Sequence, residues 1–195
     1  MVIKRIVLSA LLMAGAGGAS VAAAVPSAAV PERDAAFTVT SSAFEQDGTI
    51  PKVHECTSGD DDPQKKNESP PLAWSGAPDG ARSYALVMRD LSNSNLIHWV
   101  IYDIPADVTS LPQNVEHSYK PAVPAGARQV YYRGSASLFG YQGPCSPTTI
   151  NTYEFRVHAL DKATLSELDD QSSTTAAARA IEGASLGSGV LSGKS

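Results

Sequence analysis

The chain has 195 residues, 18% of them charged, and a formal net charge of −5. Its 15 Lys and Arg residues are scattered along the chain. Nucleic acid is therefore not expected as a partner, because that binding rests on clustered basic side chains that face phosphates.

Residues 1–24 have the pattern of a secretory signal peptide, with Lys4 and Arg5 at the start, a short apolar core at 6–13 and an A-x-A cleavage site at 22–24. A retained anchor is the alternative, but the apolar run is shorter than the roughly 20 residues of a spanning helix. Cleavage would remove two positive charges and change the net charge from −5 to −7, leaving no transmembrane segment. Residues 25–36 are predicted to be a flexible lead-in, and 37–195 a single domain.

Six stretches have strand character and predict a mainly β domain; in chain order they are 37–40, 72–74, 84–88, 98–104, 129–132 and 152–159. The last one alternates, which places Tyr153 and Phe155 on one face and His158 on the other. Residues 84–88 and 99–104 are apolar with little alternation, which predicts central strands that are covered on both faces.

One helix is predicted late in the chain. Residues 175–182 are rich in alanine, Gly183 can end the helix, and the residues before it offer candidate N-caps, namely Ser172, Ser173 and Thr174. A single helix on a β body is the simplest architecture that these patterns allow.

Cys56 and Cys145 are the two cysteines of the chain. Export would place them in an oxidising compartment, where disulfides persist. They could pair across the fold, or each could pack alone in a loop. A bridge needs Cα atoms within about 7 Å of one another, so the sequence leaves both interpretations open.

Asp90 ends one predicted strand and His98 begins the next, with the seven residues 91–97 between them. A hairpin of this kind brings both side chains to the same end of a sheet. If they are close, the carboxylate favours the charged imidazolium, and the pair could hold an anion. The alternative is an Asp that caps a loop and a His that packs beside Trp99.

The segment 140–147 reads G-Y-Q-G-P-C-S-P and precedes Tyr153 closely. Glycines let a backbone approach a ligand, prolines hold the shape, and consecutive free N–H groups can form an anion-binding nest. A rigid turn between strands is the ordinary interpretation of the same composition.

Several motifs stand in the order seen in phosphatidylethanolamine-binding proteins: S-P-P-L-A-W-S-G at 69–76, Y-A-L-V-M-R-D at 84–90, H-W-V at 98–100, G-P-C at 143–145, and Tyr153. From residue 37 onward the chain resembles this family, and in particular its bacterial, Raf kinase inhibitor-like branch. The resemblance implies an antiparallel β-sandwich with a Greek-key core and a C-terminal helix. It also implies a small pocket for phosphate or a phospholipid head group.

Carried over residue by residue, the resemblance assigns five ligand-binding positions: Asp90, the first acid of a D-P-D-x-P motif, His98, Gly143, Pro144 and Tyr153. Two departures stand out. After Asp90 the chain reads L-S-N-S, so the second acid and both prolines of that motif are missing. Asn151, which cannot titrate, occupies a position where many relatives carry a second histidine. We therefore include Asn151 in the predicted site and expect weaker or differently pH-dependent binding.

These observations predict an exported, secreted or periplasmic binding protein without catalytic residues, metal or cofactor. The alternative is an extracytoplasmic protein–protein regulator, such as a protease inhibitor. An enzyme ranks third. The G-x-S-x-G pattern at 183–187 follows the predicted helix instead of preceding one, and no histidine follows His158. Zinc-binding residue types at 54–56 lack a second cluster.

Overall fold

The computed structural model describes residues 36–57, 61–132, 138–146 and 148–195. The predicted signal peptide and all but the last residue of the predicted lead-in lie outside the described residues. The described chain forms nine strands, one α-helix and a short 3-10 turn at Lys52–His54. The strands are β1 (Thr38–Thr40), β2 (Gly48–Thr49), β3 (Leu72–Ser75), β4 (Ser83–Asp90), β5 (Leu96–Pro105), β6 (Ser110–Leu111), β7 (Arg128–Gln129), β8 (Thr152–Leu160) and β9 (Ser185–Lys194), and the helix is α1 (Thr174–Gly183).

The strands form two sheets, which confirms the predicted mainly β architecture. One sheet has the order β1-β3-β6, and the other has the order β2-β9-β8-β4-β5-β7. Neighbouring strands pair antiparallel, except that the two residues of β2 run parallel to β9. The Greek-key order of the core stays a prediction. The helix was expected to close the chain, but β9 follows it.

The six-stranded sheet is covered on both faces. Leu86, on β4, belongs to an apolar cluster that also contains Val39 and Trp74 of the smaller sheet. Val87, its neighbour on β4, belongs to a second cluster that contains Ile181 of α1. Successive side chains of a strand point to opposite faces, so β4 is buried on both sides, as its unbroken apolar run predicts.

Five predicted strands are confirmed with shifted ends: β1, β3, β4, β5 and β8. The predicted strand at 129–132 is wrong in extent, because β7 covers only Arg128–Gln129 and Tyr131 forms an isolated bridge to Phe139. The predicted helix is confirmed. Ser173 caps it, since its side chain accepts a hydrogen bond from the Ala176 N–H at 3.2 Å. No helix in the described ranges is both long and apolar enough for a membrane span.

His158 is more buried than the alternation of β8 predicts. Its partner across the sheet is Ala85, which belongs to the cluster beneath α1, so this end of β8 is covered on the face that the pattern assigns to solvent. Its Nδ1 lies 3.0 Å from the Ser185 hydroxyl.

Strand β9 is the main element that the sequence patterns miss. Its sequence, S-L-G-S-G-V-L-S-G-K, shows little apolar alternation. The glycines have a packing reason, because a Cβ on Gly189 would lie 2.6 Å from the Phe37 carbonyl oxygen and one on Gly193 would lie 2.7 Å from Phe44. Glycine in a strand marks this kind of close approach.

Candidate functional site

The register of the central strands brings the acid and the phenol of the predicted site together. Asp90, the last residue of β4, pairs directly with Tyr153 of β8. Both are nearly inaccessible, at 2% and 1% exposure. Register partners in an antiparallel pair have side chains on the same face, so the two groups share one end of the sheet.

His98 reaches the same end through a local irregularity of β5. Met88 pairs with Trp99 and Arg89 pairs with Ile97, so the register shifts and His98 is the extra residue. A bulge of this kind re-aims a side chain. The imidazole consequently packs edge-on against the Tyr153 ring, with centroids 5.4 Å apart. Asp90 and His98 therefore lie at the same end of the sheet, as the short connection between them predicts.

Asp90 is held by donors from the protein itself. One carboxylate oxygen accepts the Ser92 N–H at 2.9 Å, and the other accepts the Asn151 side-chain amide at 2.8 Å. The Tyr153 hydroxyl interacts with Asp90 and Asn151 as well, and burial, followed by the charge of Asp90, raises the pKa of that phenol. Asn151 thus has a definite role, which is to connect the carboxylate to the rim of the site.

His98 is oriented by the loop that follows Tyr141. Its Nδ1 lies 2.9 Å from the Gln142 carbonyl oxygen, to which it donates. Burial lowers the pKa of His98, and this effect outweighs the opposite influence of the Gln142 carbonyl and of Asp90. The expected influence of the carboxylate on the imidazolium is present in direction, but desolvation is stronger.

The glycine–proline loop supports the site from behind instead of offering an anion nest. The Gln142 N–H donates to the His98 carbonyl at 3.1 Å, and the Gly143 N–H donates to the Asn67 side-chain oxygen at 2.8 Å. Pro144 has no N–H to give. The rigid turn, which is the ordinary interpretation of this composition, is therefore favoured over a nest, because neighbouring segments already use the N–H groups of Gln142 and Gly143.

A disulfide fixes the same loop. Cys56 and Cys145 are bonded, with Cα atoms 5.3 Å apart, and the Cys56 N–H donates to the Pro144 carbonyl at 2.9 Å. This resolves the alternatives that the sequence left open. Because Cys56 is in the bridge, its sulfur is not a free thiolate for zinc. The neighbouring His54 places its Nδ1 2.7 Å from the Glu68 carbonyl oxygen. Among the described residues, no group of three or more His, Cys, Asp or Glu side chains could hold a metal ion.

These side chains surround a surface cavity of about 410 Å³. Four predicted site residues line it, and Gly143 and Pro144 lie outside the lining. Cys145 and Ser146 belong to the segment 140–147 that the sequence singled out, whereas sequence reasoning missed the remaining lining positions. The described residues of the lining are Asp90, Ser92, Asn93, Leu96, His98, Tyr132, Cys145, Ser146, Thr149, Asn151 and Tyr153.

The cavity can bind a polar group but brings little charge of its own. In the part of the lining that the structure describes, hydroxyl and amide groups dominate, Asp90 contributes one negative charge, and no lysine or arginine is present. A second hollow of about 310 Å³ lies between the β4–β5 hairpin and α1. It differs from the cavity in having basic side chains, Arg89 and Arg179, in its lining.

Comparison with known proteins identifies the family. Residues 40–195 match the phosphatidylethanolamine-binding protein family. A UPF0098 protein of Methanothermobacter thermautotrophicus is 37% identical over 153 residues, which is 77% of this chain and 93% of the relative. The UPF0098 protein YbcL of Escherichia coli is 33% identical over 65% of this chain and 69% of its own length.

Solved structures agree with this assignment. The crystal structure of Escherichia coli YbcL, described as a new member of the mammalian PEBP family, superposes with a TM-score of 0.70 and 26% identity over 82% of this chain and 98% of that chain. A putative PEBP homolog from Chlamydia trachomatis gives a TM-score of 0.64 at 26% identity, over 82% of this chain and 96% of that chain. On the extent of the family match and the identity to the archaeal relative, the chain belongs to the phosphatidylethanolamine-binding protein family.

Proposed function

We propose that the chain is an exported, non-catalytic binding protein whose cavity takes phosphate or a phospholipid head group. The observation that carries this proposal is the convergence of Asp90, His98 and Tyr153, from three adjacent strands, on one polar cavity. A volume of about 410 Å³ suits a small ligand. The family name supplies the ligand class, since it refers to phosphatidylethanolamine.

The non-catalytic part of the proposal is supported at the G-x-S-x-G segment. Ser185 does contact a histidine, His158, at 3.0 Å. However, burial and the nearby charges of Arg156 and Arg89 lower the pKa of His158 to about 4. A base this weak activates a serine hydroxyl poorly at neutral pH.

A ligand titration followed by NMR tests the binding. The purified protein is titrated with inorganic phosphate, with phosphoethanolamine and with glycerophosphoethanolamine, which separates free phosphate from head-group recognition. We expect the His98 and Tyr153 signals to shift at millimolar ligand or below, while the His158 signal stays in place. Unchanged His98 and Tyr153 signals with all three compounds would refute the proposal.

Two variants assign the site. His98→Ala removes the imidazole and is expected to weaken binding without unfolding the domain. Arg179→Gln is the matched control, because it changes the second hollow, which is lined by arginines, and leaves the cavity intact. If Arg179→Gln abolished binding and His98→Ala did not, the ligand would belong to the second hollow.

Export and the protein-partner alternative need separate experiments. Cleavage after residue 24 predicts that the protein recovered from its host begins at Val25, which N-terminal sequencing determines. The alternative, an extracytoplasmic regulator such as a protease inhibitor, stays a prediction that a protease inhibition panel tests.

A further inference from the structure

The charge of the cavity conflicts with the ligand proposed for it. Among the described lining residues, Asp90 is the one that is formally charged, and none is lysine or arginine. A phosphate group that enters would bring further negative charge next to a carboxylate. Anion sites in proteins normally supply cationic donors or free N–H groups. The backbone N–H groups of Gln142 and Gly143 are already used.

His98 is the lining residue that can supply the missing positive charge. Its Nδ1 donates to the Gln142 carbonyl, so in the neutral ring Nε2 is an acceptor and cannot donate to a phosphate oxygen. Protonation converts Nε2 into a charged donor.

The groups around the His98 ring permit that protonation. β4 contributes a carboxylate, β8 and the segment after β7 contribute phenols, and the loop after Tyr141 contributes two carbonyls; these are Asp90, Tyr153, Tyr132, Gln142 and Gly143. Phenols are ordinarily neutral at neutral pH, and the carboxylate and the carbonyls favour the imidazolium. Desolvation is therefore the force that keeps the ring neutral, and a bound anion would offset it.

We propose that His98 binds the phosphate oxyanion as imidazolium, so that each anion entering the cavity takes up one proton from solution. This inference rests on the proposed function and adds to it a mechanism of pH control. The proton goes from solvent to Nε2, and no bond of the ligand breaks.

The coupling fixes the direction of the pH dependence. Burial lowers the pKa of His98 in the free protein, and the negative charge of a bound anion raises that pKa in the complex. Between these two pKa values affinity falls as pH rises, by about tenfold per pH unit for one coupled proton. Binding is then strongest below the pKa that His98 has in the free protein.

The choice of probe decides whether the proton enters the protein or the ligand. A phosphate monoester has a second pKa of about 6 and can bind as its own monoanion. A phosphodiester has no such proton. Glycerophosphoethanolamine, a diester, is therefore the main probe, and inorganic phosphate is the comparison.

Isothermal titration calorimetry at several pH values from neutral downward, in two buffers of different ionisation enthalpy at each pH, counts the protons. We expect an uptake of up to one proton per diester bound by the wild-type protein. His98→Gln should bind the diester more weakly, with no uptake and no pH slope. Binding without proton uptake in the wild type, or uptake that persists in His98→Gln, would overturn the coupling and leave the binding function standing. No heat with any probe in either buffer, at every pH tested, would overturn both.

A measurement on the unaltered protein covers the case in which His98→Gln does not fold. The His98 imidazole is titrated by NMR in the free protein and in the protein saturated with the diester. We expect the pKa to rise on binding, and an unchanged or lower pKa in the complex would contradict the proposal.

Discussion

His98 and His158 are both buried and lie in the same sheet, but their surroundings differ. At the cavity end, Asp90 and the Gln142 carbonyl oppose the effect of burial on the pKa of His98. At the helix-covered end, Arg156 and Arg89 add to that effect and lower the pKa of His158 to about 4. Burial alone therefore does not determine how a histidine of this sheet titrates, because the neighbouring charges also shift its pKa. The neighbouring charges lead us to expect that His98 responds to a ligand and that His158 is a source of acid sensitivity.

The largest expected effect comes from removing the disulfide that holds the loop beside the cavity. Replacing both Cys56 and Cys145 with serine removes the disulfide between two segments that are 89 residues apart in the sequence. The chain-entropy argument predicts a loss of about 4 kcal/mol in unfolding free energy, measured by urea denaturation. Because Cys145 lines the cavity, the His98 NMR signal should shift while the His158 signal stays nearly constant. An unchanged denaturation midpoint would contradict this account of the disulfide.

A pair of glycine substitutions compares how tightly the chain is packed at Gly143, beside the cavity, and at Gly183, at the end of α1. A Cβ on Gly143 would lie 2.1 Å from the His54 carbonyl oxygen, whereas one on Gly183, at the end of α1, meets nothing within 4 Å. We expect Gly143→Ala to cost about 3 kcal/mol in unfolding free energy and Gly183→Ala to change it by less than about 1 kcal/mol. Equal effects in urea denaturation would show that the loop can move aside.

Acid sensitivity should arise at the helix-covered end. The folded-state pKa of His158, about 4, lies below the ordinary value of 6.5, so the unfolded chain binds the proton more readily. This contribution to stability is complete above pH 6.5 and is lost as pH falls toward 4, by up to about 3 kcal/mol. His158→Gln should flatten this part of the pH dependence of the unfolding free energy. An equally steep slope in the variant would assign the effect to other groups.

The smallest effect is expected from one hydroxyl at the cavity end. Tyr153→Phe removes the hydroxyl that interacts with Asp90 and keeps the ring that packs on His98. We expect a loss of about 1 kcal/mol in unfolding free energy and a several-fold weaker affinity for phosphoethanolamine by calorimetry. Tyr84→Phe, in the core between the sheets, is the matched control and should leave the affinity unchanged.

The sequence predicted those parts of the fold and site that depend on local patterns. The unbroken apolar runs of β4 and β5 identified central strands, and the short connection between Asp90 and His98 placed both at one end of a sheet. The order of several motifs identified the family. In each case the signal lies within a few residues of the feature that it predicts.

Features created by distant contacts could not be predicted. Asn67 uses its side chain to hold the Gly143 N–H, 76 residues away, and no local signal marks it for that role. It also stands in the sequence pattern of a glycosylation site, whose Ser69 is completely buried. The glycines of β9 weaken its strand pattern in the sequence, and close contacts with Phe37 and Phe44 explain why they are there. The charge state of His98 depends on how deeply the fold buries it.

The most direct test of the central claim is a crystal structure of the protein grown with phosphoethanolamine. We expect the phosphate in the cavity, with oxygen atoms within hydrogen-bond distance of His98 Nε2 and the Tyr153 hydroxyl. A cavity without ligand, together with phosphate bound beside Arg89 and Arg179, would contradict it.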